Sequence, residues 1–495
     1  MKTYRTFQMQ FKKGHRLYDH FYKQMMHAKE LYNAVNYMLR QVFTAMHTHG
    51  PLHKNQQDLL DDIQKQLPGI NKNKELAHQK RLISNAKRPI DKQKKVELIQ
   101  FDMPTRKKKM LSYAFLDAYL KQTKQEDYAA LPAHAAQSIL KNVLQNWKSF
   151  FGSIKDYKTN PSKYKGRPKL PNYLDDAKEL THSNQEAKIV KSKPSAAQDG
   201  ASQEAYIEGN ALKLPIIKRI NIGKISKTEG NLMQVRILPN NGLVVMELVF
   251  EVDISDEVVS PNKRYLSIDP GLDNLLTIVS NTGMRPILLN GKIIKSINQW
   301  YNKERAYHYS ILRKGQQTNQ GLFTSRRLDA LSVKRMNQIK NQMHKISKEV
   351  VNLAIQENVC MVYMGHNDGS KQNINIGRVN NQNFVTIPIM ILIQMLTYKL
   401  EAVGIQLVLT EESYTSKASA LDFDDIPTYD PKVNVNYTFS GKRISRGQYR
   451  SKNGTILHAD CNGAVNILRK VIPGAFQYAK EIAAAVNRPR SLSVG

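Results

Sequence analysis

The chain has 495 residues, too many for one ordinary core, so roughly two to four domains are expected. Its 74 Lys and Arg against 42 Asp and Glu leave a formal charge of +32, which suits a polyanion, because each phosphate neutralised releases condensed counterions. No apolar run of about 18 residues is there to span a bilayer, no amphipathic anchor favours a membrane surface over nucleic acid, and two cysteines, Cys360 and Cys461, exclude a disulfide framework and point to a reducing cytoplasm.

The opening "MKTYRTFQMQFKKGHR" has no apolar block or cleavage site, so no secretory leader is expected. Within residues 4–12, Phe7, Met9 and Phe11 alternate with Gln8 and Gln10, which predicts a half-buried strand. From His15 to Phe43, Leu17, Phe21, Ala28, Leu31, Val35, Leu39 and Val42 recur at helical spacing. Residues 48–110 are polar and basic and read as helices with cationic faces. Pro132 opens an amphipathic helix, 132–151, with Ala136, Leu140, Val143, Trp147 and Phe150 on one stripe. The next stretch, "KDYKTNPSKYKGRPKLPNY" (155–173), interleaves cations, tyrosines and turn residues. Lys155, Lys163, Lys165, Arg167 and Lys169 suit phosphates, and Tyr157, Tyr164 and Tyr173 suit bases or sugars.

Residues 184–204 read as a linker. Gly209-Asn210 and Asn240-Asn241-Gly242 then mark hairpins, so 205–254 is expected to be a small antiparallel β unit closed by the N-terminal strand, with a boundary at "SPNK" (260–263). Beyond it come strands at 265–268, 275–279 and 286–289, a long helical stretch at 294–356, a strand at 359–364, a helix at 388–403 between Pro388 and Gly404, a strand at 405–410, and a last helix in "HADCNGAVNILRK" (458–470). That order is the order of an RNase H-like fold. In it, Asp269 ends the first strand and Asp460 begins the last helix opposite it. Two such carboxylates suit a pair of Mg²⁺ or Mn²⁺ ions about 3.5–4 Å apart, holding the attacking water and the leaving oxygen of a phosphodiester.

"SIDPGLDNLLTI", "NNQNFVTIPIMILIQMLTYKLEAVGI", "TEESYTSK", "HADCNGAVNILRK" and, further upstream, "NWKSFFGSIKDYKTNPSKYKGRPKLPNY" resemble the TnpB (OrfB) proteins of insertion sequences, compact RNA-guided DNA endonucleases related to type V CRISPR effectors. The resemblance covers most of the chain from about residue 130. It implies an α+β multidomain protein: a RuvC-type, RNase H-like nuclease domain (261–412 and 458–495), a wedge β-domain (1–14 and 205–255), an inserted helical recognition lobe with basic loop and linker (15–204), and a ribbon-like insertion (413–457). It also implies a guide RNA from the element's own end, double-stranded target DNA beside a short flanking motif, no membrane, and a place in the cytoplasm at the nucleoid.

Two features depart from that family. Most members have a Glu at the end of the strand matching 359–364, where this chain has Met364-Gly365-His366-Asn367-Asp368. Glu411 or Glu412, one strand further out, is expected to supply the third carboxylate across roughly 10 Å, and Asp368 is the weaker substitute. The family's two cysteine pairs are also missing, so no zinc is expected and packing must hold the ribbon. Among the remaining polar residues, Lys417 and the Arg443, Arg446 and Arg450 loop are nucleic-acid candidates. Asp273 serves a turn, and Asn462 and Asn466 orient neighbouring groups. The missing Glu motivates the alternative of a nuclease-dead, RNA-guided DNA-binding protein, a repressor or targeting module. A DNA-strand transposase is a third reading, which the RNA-binding lobe disfavours.

Overall fold

A computed structural model of the chain describes residues 2–190, 211–217, 219–253, 262–271, 273–366, 388–429 and 436–493. It divides into two units, Lys2–Val252 and Asp253–Gly495.

The first unit opens with β1 (Lys2–Phe11) and runs through α1 (Tyr18–Ala45), α2 (Lys54–Ala86), α3 (Tyr113–Gln122), α4 (Glu126–Ala130) and α5 (Ala133–Thr159). Short strands β2 (Leu180–Ser183), β3 (Lys188–Val190), β4 (Ala211–Lys213) and β5 (Ile220–Asn221) precede the long hairpin of β6 (Asn231–Asn240) and β7 (Leu243–Asp253). Asn241 (φ 45°) and Gly242 (φ 77°) make its two-residue turn, as positive φ at both positions requires. The sheets run β1-β7-β6-β2 and β3-β4-β5. The apolar stripe of α1 packs on α5, where buried Trp147 donates its Nε1–H to Asn36 Oδ1 at 3.0 Å.

Four expectations change here. Residues 48–110 hold one helix, α2, and after a single 3-10 turn (Ile90–Lys92) the chain is non-helical to Ser112. Helix α5 continues past 151 because nothing breaks it before Asn160-Pro161, so Lys155 and Tyr157 ride on its last turns. β2 lies in the stretch assigned to the lobe, yet it pairs with β6, burying Leu180 and His182 by simple alternation. Lys188–Val190, read as linker, pairs with β4. The Gly209-Asn210 turn lies outside the described residues.

The second unit is built on β8 (Tyr265–Pro270), β9 (Asn274–Ser280), β10 (Ile287–Asn290), α6 (Lys292–Leu312), α7 (Arg326–Gln356), β11 (Met361–Gly365), α8 (Ile389–Glu401) and β12 (Gln406–Thr410). After these come a small antiparallel ribbon of β13 (Lys442–Arg443), β14 (Gln448–Arg450) and β15 (Ile456–His458), helices α9 (Ala459–Val471) and α10 (Ala479–Val486), and β16 (Arg490–Leu492). The main sheet runs β12-β11-β8-β9-β10-β16. β9 is antiparallel to both its neighbours, and β11 and β12 run parallel to β8. The edge strand β16, parallel to β10, was not foreseen.

The long helical stretch expected over 294–356 is two helices, α6 and α7. The chain turns back at 313–325, where Gly315 and Gly321 take positive φ and the Arg313 guanidinium gathers the carbonyls of Gln317, Thr318 and Gln320. Alternation sorts the two sheet faces. Leu266, Ile268, Val362 and Met364 join a core with Ile339, Met343, Val350, Leu392 and Leu396 from α7 and α8. Ser267 and Tyr363 face the other way, toward α9, and Ser267 Oγ donates to Ala464 O at 2.7 Å. Asp269 and Gly365, two residues further along each strand, share that α9 side.

Candidate active site

Asp269, the last residue but one of β8, lies opposite a glycine of α9. A Cβ added at Gly463 would stand 2.8 Å from Asp269 Oδ2, so the helix comes this close only because the position has no side chain. Asp460 lies one turn earlier on the same helix, in its first turn, where the helix dipole favours a negative charge. Asn274 Nδ2 donates to Asp460 Oδ2 at 2.9 Å, and Arg443 Nη2 reaches Asp460 Oδ1 at 3.3 Å. One oxygen is thus positioned by an amide and the other by a cation.

The third acid follows from strand register. Gly365 pairs with Thr410, the last residue of β12, and the chain then continues into Glu411 and Glu412. These two part company. Glu411 forms an ion pair with Lys470 and accepts from the Ser413 N–H at 2.7 Å. Glu412 folds over Gly365: a Cβ there would meet Glu412 Oε2 at 2.6 Å and Ile467 Cδ1 at 2.7 Å. The carboxylate of Glu412 therefore fills the volume that a side chain at the end of β11 would take.

The acids feel one another. Burial raises the Asp269 carboxyl well above the usual carboxylate range, and the charges of Glu412 and then Asp460 add to the rise, while Arg443 opposes it. Burial, with the neighbouring charge of Glu411, pushes Glu412 up to about 6. Among the described residues no three His, Cys, Asp or Glu side chains already converge closely enough to enclose a metal. Hard oxygen donors that repel one another are nevertheless the set that a divalent cation relieves, so the residues present fit Mg²⁺ or Mn²⁺ in chemistry.

The other expected residues divide. Asp273 pairs with Lys295 and, at 2.5 Å, with Arg446. Asn462 and Asn466 are fully buried and hold the 415–420 loop through the carbonyls of Thr415 and Ala418 and the N–H of Ala420. Lys417 lies 5.7 Å from the Tyr414 ring, and Arg450 is exposed. The ribbon is anchored by Tyr449, fully buried, whose hydroxyl donates to Lys417 O at 2.7 Å. Cys461 is buried, and burial raises its thiol far out of the reactive range. Asp368 lies outside the described residues.

In the first unit, Asp156 takes up part of the basic stretch. It accepts from Tyr164 (2.7 Å), Lys163 (2.9 Å) and Asn160 (2.9 Å), which holds its own carboxyl far below the usual range. Tyr157 meets Tyr164 edge-on, and Arg40 covers Tyr173. Lys155, Lys165, Arg167 and Lys169 remain exposed. Asn274, Gly463 and Lys470 were missed in the sequence because their roles come from partners nearly 60 to 200 positions away.

A family model described as a probable transposase, OrfB_IS605, matches residues 247–371, and a Cas12f1-like TNB domain model matches 391–467. No curated protein matches the chain. Among solved structures, a Cas12f1–sgRNA–target DNA complex aligns at 12% identity over 94% of this chain and 98% of that one, with a TM-score of 0.44. C2c1 of Alicyclobacillus acidoterrestris with single-guide RNA aligns at 8% identity over 89% and 70%, with a TM-score of 0.33.

Proposed function

We propose that this chain, a relative of the TnpB (OrfB) proteins of insertion sequences, is an RNA-guided DNA endonuclease whose catalytic acids are Asp269, Asp460 and Glu412. The observation that carries the reading is the Glu412 carboxylate lying in the space left open at Gly365. The sheet supports it: first strand central, second antiparallel, fourth and fifth parallel on the far side, an RNase H-like arrangement of the RuvC type. The two family matches support it too, one spanning Asp269 to Gly365 and the other Glu411 to Asp460.

When bound, two Mg²⁺ or Mn²⁺ ions would supply an activated water and charge neutralisation at the leaving oxygen. The protein's share is to hold and aim. Asp269, Asp460 and Glu412 would carry the ions, Asn274 and Arg443 set the Asp460 carboxylate, and Lys470 keeps Glu411 out of the cluster. In this reading β1, β6 and β7 with β2 form the wedge, α1–α5 the recognition lobe, and residues 413–457 the zinc-free ribbon. The excess of cations serves a guide RNA from the element's own end and target DNA beside a short flanking motif.

The loose spacing of the acids favours one competitor, a nuclease-dead RNA-guided DNA-binding protein. RNA that co-purifies with the full chain, sequenced and then matched with a DNA duplex in Mg²⁺, separates the two. The endonuclease reading expects one abundant RNA from the flanking locus and cleavage that disappears in Asp269→Ala and Asp460→Ala while target binding persists. Binding without cleavage in the unaltered protein favours the competitor, and full-rate cleavage by both variants overturns the assignment.

A further inference from the structure

Helices α6 and α7 form a hairpin, and residues 292–356 carry 13 Lys and Arg against three Asp and Glu. The faces that meet are well matched. Ile294 and Asn298 are buried, Arg335 Nε donates to Asn298 Oδ1 at 2.7 Å, and Tyr301 and Ser332 share a hydrogen bond.

The outward face is different. Trp300, Tyr307 and Ile311, spaced by seven and four, form one stripe along α6, and they are 36%, 63% and 56% exposed. The connecting loop adds Leu322 and Phe323, 70% and 53% exposed. Cations flank the rings: Lys334 Nζ lies 4.5 Å from the Trp300 centroid, and the Arg313 guanidinium lies 4.4 Å from that of Phe323. Lys303, Lys314 and Arg326 are exposed and make no ion pair with the described residues. At the root of α6, Lys295 pairs with Asp273, four residues beyond Asp269. The first turn of α6 thus lies near the acid cluster, and the stripe begins about one and a half turns further on, at Trp300, and runs about 16 Å to Ile311.

We propose that this hairpin face binds single-stranded nucleic acid and guides a strand along α6 to the acid cluster. Phosphates satisfy cations that an apolar protein partner would have to desolvate. Exposed rings favour unpaired bases, because a duplex keeps its bases stacked on each other. The strand's destination rests on the nuclease reading; the binding does not.

The test uses full-length protein stripped of nucleic acid, a fluorescein-labelled oligo-dT strand and a labelled duplex of equal length, with anisotropy read over a KCl series. Neutralising Lys303, Lys314 and Arg326 to Gln is expected to weaken both complexes and to flatten the single-strand salt slope by about 2. Trp300→Ala with Tyr307→Ala is expected to weaken oligo-dT binding about tenfold or more and leave the duplex nearly unchanged. Thermal melting confirms that the variants fold. The proposal is overturned if the aromatic variant binds both probes like the parent, if it loses both equally, or if it instead dissolves a dimer of the chain. Cleavage in Mg²⁺ is read beside the anisotropy: an unaltered protein that holds oligo-dT through Trp300 and Tyr307 but cuts no DNA fails the nuclease reading and leaves the hairpin proposal standing.

Discussion

Glu412 Oε2 lies 2.6 Å from the point where a Cβ on Gly365 would stand, so the end of β11 and the segment just beyond β12 share one volume between them. An acid donated from β12 thereby reaches the place to which β11 points. Glu411, next in the chain, does not reach it because Lys470 holds it.

The two glutamates should therefore behave differently. Glu412→Gln keeps the shape but removes the charge, and cleavage in Mg²⁺ should fall by about two orders of magnitude or more, the scale seen when an acid that must be charged in a site is lost. Glu411→Gln should retain most of the activity and lower stability by about 1 kcal/mol at most, because its pair with Lys470 is partly exposed. Equal losses in the two variants, measured as single-turnover cleavage, would remove the distinction.

Gly365→Ala is a one-methyl change with an outsized expected effect. The new Cβ would press on Glu412 Oε2, the far end of its side chain, and on Cδ1 of the fully buried Ile467, so the carboxylate is displaced and the tight packing costs about 1–3 kcal/mol. Melting should fall by that modest amount while Mn²⁺ affinity and cleavage fall together. Unchanged metal binding in this variant would mean that Glu412 has another productive position.

Acidity in the metal-free protein gives a check that needs no activity. Glu412 and Asp269 titrate higher when folded than when unfolded, so the folded state binds more protons and stability rises as pH falls through about 6 toward the ordinary carboxylate range. The Glu412 part is on the order of 1–2 kcal/mol. Without divalent ions, melting should rise from pH 8 to about pH 5, and Glu412→Gln should flatten that rise and stabilise the protein at the alkaline end. A profile identical to the parent's would show that Glu412 is not crowded as described.

The ribbon offers a test of packing in place of metal. Tyr449→Ala empties a fully buried site and should cost about 3–5 kcal/mol, whereas Tyr449→Phe, which gives up only the bond to Lys417 O, should cost about 1 kcal/mol. A zinc chelator should leave the melting temperature where it is. A large drop on chelation would reveal a metal.

Much of this was legible in the chain, for physical reasons. Buried strands and amphipathic helices declare themselves by period, so β8, β9, β10, β11, β12, α5 and the Asn241-Gly242 hairpin were readable. An acid where an apolar run stops is readable in the same way, which is how Asp269 stood out. Glu412 was narrowed only to a pair, because choosing it over Glu411 depends on Lys470, 58 residues further on. Strand β2, the edge strand β16 and the break at 313–325 escaped because short strands and polar turns carry little periodic signal. Asn274 escaped for another reason: an amide beside an Asp reads as a turn until its distant acceptor, Asp460, is in view.

The most direct measurement moves the carboxylate back to the neighbouring strand. Mn²⁺ binding and guided DNA cleavage are compared in the parent, in Glu412→Ala, and in the double variant Gly365→Glu with Glu412→Ala. Loss of both properties in the single variant and their recovery in the double variant is the expected result. A Glu412→Ala protein that binds manganese and cuts DNA as the parent does would contradict the account.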